Sequence, residues 1–294
     1  MRRLITIVFA FLVLAATPAG AVTETPAVKN IILTSAWAKP SPDPMGLAYR
    51  KSTDTVLVVD SEVEEIPALW QGANFWEMSR DGSVVATGST MAFSTEPADV
   101  AFRPKSAHVY IADDDQDAVF DVNVGRDRRL GTADDAVRTL STRAFGNNDP
   151  EGLAYGHKAL FITDGVDQRV YRLLPGPNHV FDGVAPAGDD RVVHFSTNPL
   201  GLHDPEDVVY DQVTDSLFIV SRFDKLIVQT TLAGAALRTF DLSSSGILQP
   251  AGIAIAPSST GKGRSMYVSD RGYDNDLHPA ENDGRIFELK LRRA

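Results

Sequence analysis

One short motif recurs five times along this chain and constrains its fold more than any other feature. Each copy places a proline behind an acidic or amide residue and ahead of an apolar run. The five copies are Asp43–Tyr49, Glu96–Phe102, Asp149–Tyr155, Asp204–Tyr210 and Gln249–Ile255. Their prolines are separated by 53, 53, 55 and 45 residues. Self-similarity at such a regular period indicates a repeat architecture.

Each motif begins the first of several short runs rich in β-branched and aromatic residues. In the third repeat the later runs are Ala159–Asp164, Arg169–Leu173 and Arg191–Phe195, separated by Gly, Asp and Pro turns. Such runs predict strands, and four antiparallel strands in about 50 residues form one propeller blade. The sequence therefore predicts an all-β, five-bladed β-propeller. Five blades are favoured over six because no gap between the motifs could hold another repeat.

The two ends of the chain predict how the ring closes. The last repeat, Pro250–Ala294, contains three predicted strands, and a single orphan strand, Asn30–Thr34, precedes the first repeat. Pairing Asn30–Thr34 with Arg285–Leu291 would complete the fifth blade and leave no open edge there. We therefore predict one propeller domain at 30–294, preceded by a linker at 22–29.

The first 21 residues predict export. Arg2 and Arg3 precede an apolar stretch, Leu4–Ala16, which is followed by Pro18 and the triplet Ala19-Gly20-Ala21. This is the pattern of a secretory signal cleaved after Ala21, and its apolar part is too short to span a bilayer. The mature protein is expected to be secreted, either extracellular or periplasmic, without a membrane span.

The charge of the chain narrows its partners. Without residues 1–21 it has 26 basic and 39 acidic side chains, a net charge of about −13. Nucleic acids and anionic membranes bind positive patches, so this balance argues against both and is compatible with cation binding. There is no cysteine, so neither disulfides nor thiol chemistry contribute.

A propeller sorts the acidic residues onto two faces. The loops that lead into the first strand of each blade lie on one face with the loops between the second and third strands. We predict that this mouth face carries the function. Its acidic residues, which could bind Ca²⁺ or simply form turns, include Asp43, Glu96, Asp99, Asp113, Asp114, Asp149, Glu151, Asp164, Asp204, Glu206, Asp207 and Asp270. The predicted basic ligand-binding residues beside them are Arg169, Arg222 and Arg271, and His203 is a titrating group.

Three acidic loops are local candidates for metal binding. The loops 125–135 and 182–190 lie on the opposite face and both end in paired aspartates. For these two, a solvated acidic hairpin is an equal alternative. The third loop, 270–284, lies on the mouth face and is the strongest local calcium candidate, through Asp274, Asp276 and Asp283.

The third repeat and the closing blade resemble a known superfamily. Asp149–Tyr155 with Leu160–Asp164, and Pro250–Ala254 with Tyr267–Gly272, are similar to the secreted propellers of the NHL, YjiK (SdiA-regulated) and esterase-like phytase group. The resemblance covers nearly the whole mature chain and implies the propeller fold. Its calcium-dependent lactonases and phytases imply a metal held by Glu151 and Glu206, with Asp164 and Asp270 as helpers.

Two functions follow as alternatives. The first is a calcium-associated scaffold that binds a small molecule, glycan or protein at the mouth. The second is a metal-dependent hydrolase of esters, phosphoesters or lactones, with Glu151, Glu206 and His203 as candidate catalytic residues. Nucleophile-elbow and H-E-x-x-H motifs are absent from the sequence, and the mouth is acidic rather than rich in phosphate-binding lysines. Binding is therefore the preferred prediction. The sequence leaves the natural ligand and the oligomeric state open.

Overall fold

Strands make up nearly all of the regular structure in the computed structural model, which describes residues 22–273, 278 and 280–292. Its helical elements are single 3₁₀ turns, and no helix in this part of the chain is long and apolar enough to cross a membrane. These turns are Thr34–Ala36, Val63–Glu65, Arg143–Phe145 and Asn198–Leu200.

Five antiparallel sheets of four strands form the blades, and two strands near the N-terminus join blades formed later in the chain. These two strands are β1 (Val22–Glu24) and β2 (Val28–Leu33). The first blade contains β3 (Pro44–Arg50), β4 (Thr55–Asp60), β5 (Phe75–Ser79) and β6 (Val84–Gly88). The second contains β7 (Pro97–Phe102), β8 (His108–Asp113), β9 (Ala118–Asn123) and β10 (Ala136–Ser141).

The remaining three blades repeat this order from the channel outward. The third contains β11 (Pro150–Gly156), β12 (Ala159–Asp164), β13 (Arg169–Leu174) and β14 (Arg191–Ser196). The fourth contains β15 (Pro205–Asp211), β16 (Ser216–Ser221), β17 (Leu226–Thr230) and β18 (Ala236–Asp241). The fifth contains β19 (Pro250–Pro257), β20 (Arg264–Asp270), β21 (Arg285–Leu291) and β2. The predicted five-bladed propeller is confirmed.

The core lies between neighbouring blades. Successive residues of a strand point to opposite faces of the sheet. Leu47 accordingly packs against Tyr267 of the fifth blade, whereas Ala48 belongs to the apolar cluster shared with Ile111 of the second blade. Every blade therefore buries both of its faces, which explains why its strands read as nearly continuous apolar runs.

The ring closes through β2, as predicted from the sequence. Strand β2 pairs antiparallel with β21, and Ile32 lies opposite Ile286. Strand β1 and the start of β2 lie within residues 22–29, which the sequence predicts as a linker. Strand β1 pairs in parallel with β18, and Arg238 binds Glu24 with an N–O distance of 2.7 Å. The sequence missed β1 because a three-residue strand with two exposed side chains has no apolar periodicity.

The five innermost strands meet at one level of the channel, which we call the waist: Gly46, Asp99, Gly152, Asp207 and Gly252. A Cβ atom on Gly152 would lie 2.3 Å from Cα of Asp207, and one on Gly252 would lie 2.2 Å from the carbonyl oxygen of Met45. These distances leave no room for a side chain. The waist is therefore the level at which blade-to-blade approach restricts the sequence.

Side chains at the waist satisfy buried amides of the innermost strands. Asp99 accepts a hydrogen bond from the Leu153 N–H at 2.6 Å, and Asp207 accepts one from the Ile253 N–H at 2.6 Å. Both bonds join one blade to the next. A buried amide without a partner costs about 1–3 kcal/mol, so the two aspartates stabilise the ring as well as fill the channel.

The two waist aspartates have raised pKa values. Both are almost fully buried, and each affects the titration of the other. Burial and the neighbouring Asp207 raise the pKa of Asp99 well above its usual range, and burial raises the pKa of Asp207 to about 7. Folding therefore favours the protonated form of the Asp99 carboxyl.

The raised pKa values of Asp99 and Asp207 make the stability of the fold depend on pH. Both pKa values are raised on folding, so the stabilisation by these groups is complete below about pH 4 and is lost as the pH rises through about 7. We expect Asp99→Asn, whose amide can donate permanently, to increase the free energy of unfolding at pH 8 by about 1–3 kcal/mol relative to wild type. Urea denaturation at pH 5 and pH 8 would measure this difference.

The matched control is Asp127→Asn, which removes one carboxylate from an exposed hairpin. We expect its effect to stay within about 0.5 kcal/mol at both pH values. Equal destabilisation by Asp99→Asn at pH 5 and pH 8 would contradict a raised pKa of Asp99 in the folded protein.

Candidate functional site at the acidic mouth

Charged residues from all five blades converge at one end of the channel. They lie on the face that carries the loops leading into the innermost strands, as predicted. We call this group the acidic mouth, and its members are Asp43, Glu62, Glu64, Glu96, Asp114, Asp149, Glu151, Asp204, Glu206, Arg222 and Arg271. Nine acidic residues thus surround two arginines.

The two arginines form ion pairs with four of the nine acidic residues. Arg222 places Nε 3.0 Å from Oδ2 of Asp204 and 3.1 Å from Oε1 of Glu206. Arg271 is buried and binds Asp43 through Nε at 2.6 Å, with Nη2 contacting Glu62. Both guanidinium groups are therefore engaged, and most of the carboxylates between them have no cationic partner among the described residues.

The innermost carboxyl groups are Glu151 and Glu206, which begin adjacent strands β11 and β15. Burial raises the pKa of Glu206 to about 8 despite the Arg222 charge. Burial, followed by the charges of Glu206 and Asp114, raises the pKa of Glu151 well above its usual range. Oε2 of both residues is buried without a hydrogen-bond partner among the described residues. Such orphaned oxygens at a site need an explanation, and a bound ligand is one.

Three carboxylates of the mouth are close enough to bind one ion. One oxygen from each of Asp114, Asp149 and Glu151 lies within 4.8 Å of the other two. Burial raises the pKa of Asp114 to about 6, and the charge of Asp149 adds to this shift. Gly165 in the adjacent loop leaves room for the Asp149 carboxylate, because a Cβ atom on residue 165 would lie 2.8 Å from Oδ2 of Asp149.

Glu62 and Glu64 form a part of the mouth that was not identified from the sequence. Burial raises the pKa of Glu64 to about 8, and neighbouring acids contribute to this shift. Burial and nearby acids also raise the pKa of Glu96, which the sequence did place on the mouth face, to about 7. Glu62 and Glu64 come from the long loop between β4 and β5. The length of this loop and the acidic residues in it were the features of the sequence that could have indicated its place at the mouth.

Three predicted ligands at the ends of second strands anchor loops instead. Asp113 accepts hydrogen bonds from Ser94 Oγ at 2.7 Å and from the Gln116 amide at 2.8 Å. Asp164 accepts from the Asp167 and Asn148 amides. Asp270 accepts from the Leu248, Gln249 and Gly272 amides and binds Arg285. These bonds join adjacent loops of one blade and support a structural role.

The other predicted residues lie away from the Glu151–Glu206 pair or outside the described residues. Arg169 contacts Asp167 and Tyr171, and His203 binds Asp224 with an Nδ1–Oδ1 distance of 2.8 Å. Asp283 accepts hydrogen bonds from the Tyr273 N–H, and burial raises its pKa. Asp274 and Asp276 fall outside the residues that the structure describes.

The two acidic loops of the opposite face are folded around their own aspartates. Asp134 accepts from the Arg126 amide at 2.7 Å, and Asp190 accepts from the Asp182 and Gly183 amides. Oxygens of Asp182, Asp189 and Asp190 lie within 4.8 Å of one another. The hydrogen bonds to the loop backbone account for most of this geometry.

Solved structures with a similar fold differ widely in what they are. A glutaminyl cyclase from Myxococcus xanthus is similar over 92% of this chain and 97% of its own, with a TM-score of 0.53 and 10% identity. A luciferin-regenerating enzyme is similar over 90% and 95%, with a TM-score of 0.54 and 13% identity. A calcium-binding protein, regucalcin, from Agrobacterium tumefaciens str. C58 is similar over 92% of this chain and 97% of its own, with a TM-score of 0.51 and 12% identity. At these identities the similarity shows the fold alone.

Comparison with protein families identifies the family of this chain, which the similar folds do not. No curated protein matches this chain. The SdiA-regulated family matches residues 41–260, which include most of the propeller and all the innermost acids of its mouth. This match confirms the resemblance derived from the repeated motif. The chain belongs to the SdiA-regulated family.

Proposed function

We propose that the acidic mouth binds Ca²⁺ and that the protein is a calcium-associated propeller which binds its ligand there. The observation that carries this proposal is the pair of orphaned, buried oxygens on Glu151 and Glu206, beside two further carboxylates. Burying several carboxylates together is unfavourable unless a cation or protons compensate them.

The donor set fits calcium. Ca²⁺ prefers six to eight oxygen ligands and tolerates irregular geometry. Asp114, Asp149 and Glu151 would hold the ion, with Glu206 completing the inner side of the site. A bound Ca²⁺ would supply a positive centre whose remaining coordination positions can accept oxygen atoms of a small molecule, a glycan or a protein carboxylate.

Calcium should raise the melting temperature of chelated protein. A ligand at about 100 times its dissociation constant stabilises by about 2.7 kcal/mol, or several degrees for a domain of this size. The effect should be larger at pH 8 than at pH 6, because Asp114 and Glu206, with pKa values near 6 and 8, must lose protons before binding. Differential scanning fluorimetry with millimolar CaCl₂ would measure the shift.

Two variants locate the ion. Glu151→Gln should abolish most of the calcium-dependent shift, whereas Asp182→Asn, in the acidic loop on the opposite face, should retain it. The reverse result would place the ion in the 182–190 loop, and no shift in the wild-type protein would remove calcium from the proposal.

Hydrolysis is the second candidate, favoured by the different protonation of neighbouring acids. At pH 7 Glu206, with a pKa near 8, holds a proton, whereas Asp114, with a pKa near 6, has lost one. The mouth therefore contains a carboxylic acid able to protonate a leaving-group oxygen and a carboxylate able to accept a proton from water. Esters, phosphoesters and lactones are the substrate classes to test.

Turnover of p-nitrophenyl phosphate, p-nitrophenyl acetate or a γ-lactone would distinguish the two candidates. If the protein is a hydrolase, Glu206→Gln should lower kcat about 100-fold or more, as expected for loss of a general acid. Asp182→Asn, which alters an acidic residue of the loop on the opposite face, should leave kcat nearly unchanged. Equal losses in both variants, or no turnover of any ester, would argue against hydrolysis.

Export forms part of the proposal. The signal-like sequence Arg2–Ala21 lies outside the described residues, and strand β1 begins at Val22, immediately after the predicted cleavage site. We expect the exported chain to begin at Val22. Intact-mass measurement of the protein from the periplasm or the medium would check this, and an uncleaved N-terminus would contradict it.

A further inference from the structure

A cavity of about 750 Å³ occupies the other half of the channel, on the far side of the waist from the acidic mouth. It is lined by the later residues of all five innermost strands and by the loops that follow several of them. We call it the lower cavity. Its size is within the range of small-molecule sites in proteins.

The waist separates the lower cavity from the acidic mouth. Asp99 fills the space beside Gly46, and Asp207 of the fourth blade is buried beside Gly152 at the same level. A ligand of the lower cavity would therefore enter from the face opposite the mouth. The sequence predicted function on the mouth face alone, because acidic residues can be seen in a sequence and a cavity cannot.

The walls of the lower cavity are mainly apolar. Aliphatic residues such as Val100, Leu153 and Val208 lie near the waist, and the rings of Tyr49, Tyr155 and Tyr210 lie toward the opening. The tyrosine hydroxyls at positions 49 and 210 are bonded to Asp54 at 2.7 Å and Asp215 at 2.9 Å. These bonds direct the hydroxyls to the adjacent loops and leave the ring surfaces for apolar contact.

The rim carries positive charge, unlike the rest of this acidic protein. Arg264 pairs with Asp211 at 2.5 Å and contributes no net charge. Lys51 and Lys158 are exposed, line the cavity, and form no ion pair within the part of the chain that the structure describes. Two ammonium groups at the opening of an apolar cavity complement a molecule with an apolar body and one anionic end.

We propose that the lower cavity binds a small monocarboxylate with an apolar body, with its chain or ring among the tyrosines and its carboxylate near Lys51 and Lys158. This site is independent of the proposed function of the acidic mouth. Burial of the apolar chain or ring provides the affinity, and the lysines provide the selectivity for charge.

Isothermal titration calorimetry with decanoate tests the proposal, with chelator present to avoid calcium salts of the acid. We expect saturable binding to one site and weaker binding of decyltrimethylammonium, which has the same chain and the opposite charge. The double variant Lys51→Glu/Lys158→Glu should weaken decanoate binding about tenfold or more.

A matched control distinguishes the cavity from the general field of the face. Lys105→Glu/Lys262→Glu makes the same charge change in loops of the same face, at exposed residues that do not line the cavity. It should change the affinity by less than about threefold. Absence of decanoate binding, equal weakening in both double variants, or tighter binding of the cationic probe would overturn the proposal.

Discussion

The structure depends on how five innermost strands can approach one another around a single axis. Each strand presents backbone amides toward the channel that no neighbouring strand can pair. Asp99 and Asp207 reach across to the Leu153 and Ile253 amides of the next blades, while Thr163 and Ser269 accept from Gly152 and Gly252. At the waist, side chains therefore accept the backbone hydrogen bonds that no neighbouring strand can accept. Glycines leave the space for these side chains.

The waist divides the channel into two compartments, one acidic and the other mainly apolar. On one side the motif prolines are preceded by acidic residues, and the loops that carry them place nine carboxyl groups around two arginines. On the other side the same strands continue as apolar runs and end in tyrosines beside lysine-bearing turns. A single repeated sequence thus produces an oxygen-rich site at one end and an apolar cavity at the other, separated by the buried Asp99 and Asp207.

The distinction between structural and functional acids follows from their hydrogen bonds. Asp113 and Asp270 looked like mouth ligands because they end second strands, yet loop amides occupy their oxygens. Glu151 and Glu206 come from the same kind of repeat but leave an oxygen without a partner. Composition cannot separate these cases, since each is an acidic residue near a turn. The difference depends on which amides the folded loops bring within 3 Å.

The sequence by itself determined the blade number, the strand pattern and the closure of the ring by β2. These are set by a regular repeat, by the one strand that the last repeat lacks and by the orphan strand that precedes the first repeat, and all three can be counted without coordinates. The resemblance to calcium-dependent propellers pointed to Glu151 and Glu206, which occupy equivalent motif positions. The tertiary structure alone decided that Asp99 and Asp207 are buried at one level of the channel, that Glu62 and Glu64 reach the mouth, and that a cavity lies below the waist. Those features depend on distances between residues of different blades, which are set by the packing of whole sheets and leave no local pattern in the chain.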